Sequence, residues 1–161
     1  MRYVLHDSPL GALMLAGTDE TLAVLRWNGA TPDEGWRHDA DALPAARRQL
    51  DAYFAHARTA FDLPLAPHGT PFQRRVWHAL QAVPAGQVVS YAHIAAAVCQ
   101  PKGTQAVGQA NGANPIPIVI PCHRVVAADG GIGGFSGPDA YKRALLEREG
   151  VTFVDTTPRL I

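Results

Sequence analysis

The sequence has 161 residues, 47% of them hydrophobic, and a formal net charge of zero. That length fits one ordinary domain or two small ones, and no apolar run of about eighteen residues is present to cross a membrane. The opening Met1-Arg2-Tyr3-Val4-Leu5-His6-Asp7 has no apolar signal core, so a cytoplasmic location is expected.

Tyr3–His6 and Ala12–Ala16 read as strands joined by a turn at Ser8-Pro9-Leu10-Gly11, and Leu22–Trp27 as a third strand. Pro44–Ala57 reads as a helix, with Pro at its start and Leu50, Tyr53 and Phe54 at helical spacing. Phe61–Leu65 is a candidate edge strand, because Pro64 cannot donate to a central ladder. Trp27, Trp36, His6, His38 and His56 read as packing or surface residues rather than ligands. Ala66-Pro67-His68-Gly69 reads as a linker.

Beyond it the pattern becomes helical. Thr70-Pro71 supplies an N-cap and a first-turn proline for a helix to about Ala82, with Phe72, Val76, Trp77 and Leu80 on its apolar face. Pro84-Ala85-Gly86 stops it. Ser90 caps a second helix, Tyr91 to about Val98; Gln100–Gly103 turns the chain; Thr104 to about Gly112 forms a third. Two short helices across a tight turn fit a helix-turn-helix. The second presents mostly small residues, with Gln105 and Gln109, where a major-groove reader normally presents long polar ones. Such a helix suits the narrow minor groove or close packing on another helix. Charge follows the same division. Residues 1–70 carry six basic and nine acidic side chains, 71–128 four basic and none acidic, and 129–161 four and five. An acid-free stretch suits a phosphate-facing surface or an Ala-rich core.

Two cysteines, Cys99 and Cys122, are too few for a disulfide scaffold or a zinc site made mainly of thiolates. Each is either a small core residue or a reagent. In Asn114-Pro115-Ile116-Pro117-Ile118-Val119-Ile120-Pro121-Cys122-His123-Arg124, alternating proline and β-branched residues predict a stiff, extended, buried segment. It delivers Cys122 beside a base and a cation, which favour the nucleophilic thiolate. A water or a turn at the cysteine could connect Cys122 to His123.

Pro121-Cys122-His123-Arg124-Val125 resembles the active-site signature of the O6-alkylguanine-DNA alkyltransferases, also called methylated-DNA–protein-cysteine methyltransferases. The resemblance runs from Pro71 to Gly150. It includes Gln87–Tyr91, Ala106-Val107-Gly108, Asn114-Pro115 and Leu145-Leu146-Glu147-Arg148-Glu149-Gly150. It implies an α+β chain: a small ribonuclease-H-like α/β domain over 1–68, and over 69–161 a helical DNA-binding and alkyl-acceptor domain with a helix-turn-helix. The activity implied is irreversible, single-turnover transfer of an alkyl group to Cys122. The donor is O6-alkylguanine in double-stranded DNA, with O4-alkylthymine a further candidate, and the damaged nucleotide is flipped from the minor-groove side.

The resemblance also implies roles. His123 and Glu149 take the thiol proton through a water, Asn114 is a hinge between recognition helix and active site, and Tyr91 assists the leaving guanine. Ser90, Tyr91, Ala92, Gln100, Thr104, Gln105, Ala106, Gly108, Arg124 and Ala128 face DNA. Pro117, Val125, Phe135 and Ser136 line the base pocket, beside a loop containing Gly131, Gly133, Gly134 and Gly137. Much of the family carries Arg where this chain has Gln105, the side chain that fills the place of the flipped nucleotide. Some relatives bind zinc through N-terminal cysteines; none precedes Cys99 here, so neither metal nor cofactor is expected. Cys99 matches no functional position and reads as buried between the paired helices. A monomer suffices. The competing readings are a non-catalytic binder of alkylated DNA, which would lack the cysteine, a helix-turn-helix regulator, and a Cys122–His123 hydrolase, which would turn over.

Overall fold

The computed structural model describes residues 1–127, 135–154 and 157–158. The chain is mixed α+β and divides into two compact units, Met1–His68 and Gly69–Ile161.

In the first unit, β1 (Arg2–Ser8) and β2 (Gly11–Gly17) form the expected antiparallel hairpin, with Val4 opposite Leu15. β3 (Leu22–Arg26) pairs antiparallel on the far side of β2, and a short β4 (Arg37–His38) pairs parallel with β1, giving the order β3-β2-β1-β4. Leu13, Met14, Leu15 and Ala16 are all fully buried, so the central strand is covered on both faces. α1 (Pro44–Phe54) starts on its proline and buries Ala46, Leu50, Tyr53 and Phe54. The edge strand expected over 61–65 shrinks to one bridge, Leu22 to Leu65. Pro64 has no N–H to extend that ladder, although its carbonyl accepts from Leu22 N at 3.0 Å.

In the second unit, α2 (Pro71–Leu80) begins with a full capping box. Thr70 Oγ1 accepts from Gln73 N at 3.1 Å, and Gln73 Oε1 accepts from Thr70 N at 2.9 Å. β5 (Val89–Ser90) leads into α3 (Tyr91–Ala97), whose cap is the Ser90 hydroxyl accepting from His93 N. α4 (Thr104–Gly112) follows across a turn, completing the helix-turn-helix. Gly108 lies beside the Tyr91 ring, where an added Cβ would make an ordinary contact 4.0 Å from a ring carbon.

Two expectations fail here. Cys99 is exposed, not buried. It sits at φ +58° where α3 ends, with Cys99 N bonded to Ala96 O and Gln100 N to Ala95 O. That is the left-handed cap position glycine usually takes, and it turns the side chain out of the helical pair. Residues 114–121 are buried but not extended; they form consecutive turns, closed by Ile120 N donating to Ile116 O at 2.9 Å, with Ile118 at φ +73°. Pro115 and Pro117 remove two donors, but the amides between and after them still close a turn. A β-branched residue in that region carries strain of roughly 1–3 kcal/mol, held in place by complete burial.

The chain then makes a single 3-10 turn, Cys122–Arg124, and enters β6 (Val125–Val126), which pairs parallel with β5. α5 (Asp139–Arg148) closes on Glu149 as C-cap and Gly150 at φ +87°; Gly150 N bonds Glu147 O and Val151 N bonds Leu146 O. β7 (Phe153–Val154) and β8 (Thr157–Pro158) pair antiparallel. Val88, Val126, Leu146 and Val151 form one buried cluster with Phe153 against it, fixing the end of α5 beside β6.

Gly150 is therefore a backbone requirement. A Cβ there would meet nothing within 4 Å, so the penalty for Gly150→Ala is conformational rather than steric. Urea unfolding should show a loss of about 1 kcal/mol, the left-handed penalty less the entropy gained from a stiffer unfolded chain.

Candidate active site

Cys122 is fully buried at the start of the 3-10 turn. Its carbonyl accepts from Val125 N and, at 3.2 Å, from Nδ2 of Asn111 on α4. Its Sγ lies 3.5 Å from the Ser136 hydroxyl. Burial pushes the thiol up from its ordinary value of 9.0, while Ser136, Asn114 and the charge of Lys142 pull the other way. At pH 7 a thiol of pKa 9 is about 1% thiolate, and each unit upward costs a further factor of ten, so a base is needed to use it.

His123 is the next residue, also completely buried. The 3-10 turn, not an extended chain, separates their side chains. His123 Nε2 donates to Glu149 Oε2 at 2.9 Å. That bond fixes the tautomer and leaves Nδ1, buried and without a hydrogen-bond partner among the described residues, as the acceptor. Burial lowers the His123 pKa below 6.5; Glu149 opposes this, and Arg124 and Lys142 add to it. The ring is thus a neutral base at physiological pH, with a carboxylate behind it to stabilise the cation formed on protonation.

Arg124 does not reach toward DNA, as the resemblance implied. Its side chain is 7% exposed and grips Glu149 with two bonds of 2.9 Å, while Nη1 donates to Val83 O at 2.7 Å. The 3-10 geometry turns it inward, and the fork matches the carboxylate. Burial works to raise the Glu149 carboxyl, but His123 and Arg124 outweigh it and hold it at about 2. Its side chain is 1% exposed, so Glu149 is an internal anchor and not a solvated helix end.

Asn114 Nδ2 donates to Ile120 O at 2.8 Å, and its Oδ1 accepts from Ile116 N at 3.0 Å, bracing the turns before Cys122. Pro117 and Val125 are buried, and Phe135 and Ser136 half-buried. Ala92, Gln100, Thr104, Gln105 and Ala106 are exposed, Ser90, Tyr91 and Gly108 half-buried. Ala128, Gly131, Gly133 and Gly134 lie outside the described residues. A groove of about 850 Å³ lies between α2 and α3, lined by Arg74, His78, Ile94 and Cys99 among others; no residue of the Cys122 turn reaches it.

Sequence reasoning missed Lys142 and Asn111. Lys142 is fully buried on α5 and donates to Val125 O at 2.6 Å. Burial lowers it to about 8, against the pull of Cys122 and Asp139. The signal was positional. Lys142, Leu145, Leu146 and Glu149 share one helical stripe, as do Val107, Ala110 and Asn111; a polar residue in an apolar stripe needs an internal partner.

The Glu149 cluster makes stability pH-dependent. A carboxyl held at about 2 against an ordinary 4.5 contributes about 3 kcal/mol above pH 4.5, lost as pH falls toward 2. His123, depressed below 6.5, adds a loss that begins as pH drops below that value. Urea unfolding across pH 7 to 3 should show this fall. In Glu149→Gln the lower part should vanish, with stability at pH 7 already about 3–5 kcal/mol down because Arg124 is left buried without its partner.

Residues 71–151 match the family described as 6-O-methylguanine DNA methyltransferase, DNA binding domain, and residues 1–67 its ribonuclease-like domain. The chain is 45% identical to a methylated-DNA–protein-cysteine methyltransferase of Mycolicibacterium paratuberculosis, covering 92% of each. It is 41% identical to one of Methanosarcina acetivorans, covering 93% of this chain and 99% of that one. The crystal structure of Mycobacterium tuberculosis OGT in complex with DNA superposes with a TM-score of 0.89 at 46% identity, covering 92% of each chain.

Proposed function

The chain belongs to the 6-O-methylguanine DNA methyltransferase family, and from that premise we propose that it repairs DNA by moving an alkyl group from O6 of guanine onto Cys122. In this reaction the thiol proton passes through a water to His123 Nδ1. The sulfur attacks the alkyl carbon in line, an S–C bond forms and the C–O6 bond breaks. The electron pair leaves on guanine, which takes up a proton from the Tyr91 hydroxyl or from water. The thioether is stable, so each molecule reacts once.

The observation that carries this reading is the fixed tautomer of His123. Glu149 occupies Nε2 and leaves Nδ1 to accept, one residue from a buried thiol too weakly acidic to ionise by itself. Burial also suits the chemistry, because a dry site strengthens each electrostatic contact to the transition state. A hydrolase at the same thiol would turn over repeatedly, whereas a thioether on Cys122 ends the reaction.

α4 is the element for DNA. Thr104, Gln105 and Ala106 are exposed at its first turn, and small residues there allow close approach to a minor groove. Gln105 takes the space of the flipped nucleotide, offering hydrogen bonds to the orphaned base without adding charge. The protein acts as a monomer in the cytoplasm; among the described residues no helix is long and apolar enough to cross a membrane.

Incubation with an O6-methylguanine oligonucleotide should add about 14 Da, once, to the peptide holding Cys122, and nothing to Cys99. Repeated turnover, or binding without an adduct, would overturn the assignment. Gln105→Ala should slow transfer from duplex DNA about tenfold, worth about 1.4 kcal/mol, and leave reaction with free O6-benzylguanine within about twofold. Equal slowing on both would remove Gln105 from duplex opening.

A further inference from the structure

Asn111 is the one fully buried carboxamide on the helix that carries Gln105. It stands in the apolar stripe of α4, beside Val107 and Ala110, and donates from Nδ2 to the carbonyl of Cys122 at 3.2 Å. Ala110, its neighbour, accepts from Trp77 Nε1 on α2 at 2.8 Å, so the same helix end is pinned to the body of this unit. Asn114 braces the preceding turns through Ile120 O and Ile116 N and also hydrogen-bonds the Cys122 thiol. The two carboxamides thus bracket Pro121, and only Asn111 touches the nucleophile's own peptide.

The Cys122 carbonyl is already satisfied without Asn111, because Val125 N donates to it inside the 3-10 turn. Rescue of an orphaned acceptor is therefore not the reason for this bond. An apolar side chain of the same branching would fill the stripe equally well. What the second donor adds is direction: two bonds on one carbonyl fix the rotation of the Cys122 peptide, and with it the Cα–Cβ vector that aims the sulfur. The six residue steps from Gln105 to Asn111 span about 9 Å of helix, a rigid connection between the exposed first turn of α4 and the buried thiol.

We infer that Asn111 is a positioning residue of the transfer reaction: from the recognition helix it holds the Cys122 peptide so that the sulfur stands in line with the alkyl carbon. This rests on the reading of Cys122 as alkyl acceptor. Misplacement by a fraction of an ångström lowers the rate of an in-line displacement without altering affinity for DNA.

Asn111→Leu keeps the shape and removes the donor; Asn111→Ala is the second variant should Leu not fold. Duplex affinity is measured by fluorescence anisotropy with an O6-methylguanine oligonucleotide, and transfer by the saturating single-turnover rate constant. Free O6-benzylguanine is run in parallel, and the folded fraction is followed by urea unfolding. The expected result is a rate constant about tenfold lower on both substrates, with the duplex Kd within about twofold of wild type. Slowing on both substrates also separates this role from that of Gln105. An unchanged rate constant in the variant that folds overturns the inference, as does a loss that only tracks the folded fraction. Failure of wild-type Cys122 to gain an adduct is a separate outcome: it overturns the acceptor assignment itself.

Discussion

A single buried carboxylate organises the alkyl-acceptor unit. Glu149 accepts two hydrogen bonds from Arg124 and one from His123, and its side chain is almost out of contact with solvent. Burying these groups separately would cost several kcal/mol each. Together they satisfy one another except at His123 Nδ1, and Arg124 extends the network to the Val83 carbonyl. The constraint has a chemical consequence. A carboxylate shared with a guanidinium cannot hold His123 permanently protonated, so burial prevails and the ring stays a neutral base.

The fold delivers these groups by short-range means. Gly150 ends α5 with a left-handed cap, so that Glu149 is the C-cap residue of that helix. The 3-10 turn puts Cys122, His123 and Arg124 in three directions within three residues. β5 and β6 pair in parallel, so the capping serine of α3 lies opposite Val126 in the strand that leaves the nucleophile. α3, α4 and the Cys122 turn are thus joined by backbone as well as by the Asn111 and Asn114 carboxamides. A protein that reacts once has no thioether to release, and a thiol enclosed this tightly is compatible with that economy.

Much of this was legible in the residues. Thr70-Pro71 and Ser90 announced helix starts through local capping chemistry, and the β1–β2 hairpin through its turn, because such signals act within a few residues. The Pro-Cys-His-Arg run and the closing Glu149-Gly150 pointed to the site. What could not be read was long-range or depended on backbone handedness. Cys99 looked like core because it matched no functional position, yet a left-handed cap turns it outward. Ile118 adopts a φ that no local preference favours. Arg124, a natural phosphate ligand by type, is turned inward by a partner 25 residues away. Lys142 and Asn111 could have been found by asking why polar residues occupy apolar helical stripes.

The account stands most directly on the protonation of one ring. Side-chain nitrogen NMR of His123 in the unreacted protein reads it without any substrate. At pH 7 the ring should be neutral, with its hydrogen on Nε2, a bare Nδ1, and a pKa below 6.5. A hydrogen on Nδ1, or an imidazolium persisting at pH 7, would contradict the proposed route for the Cys122 proton.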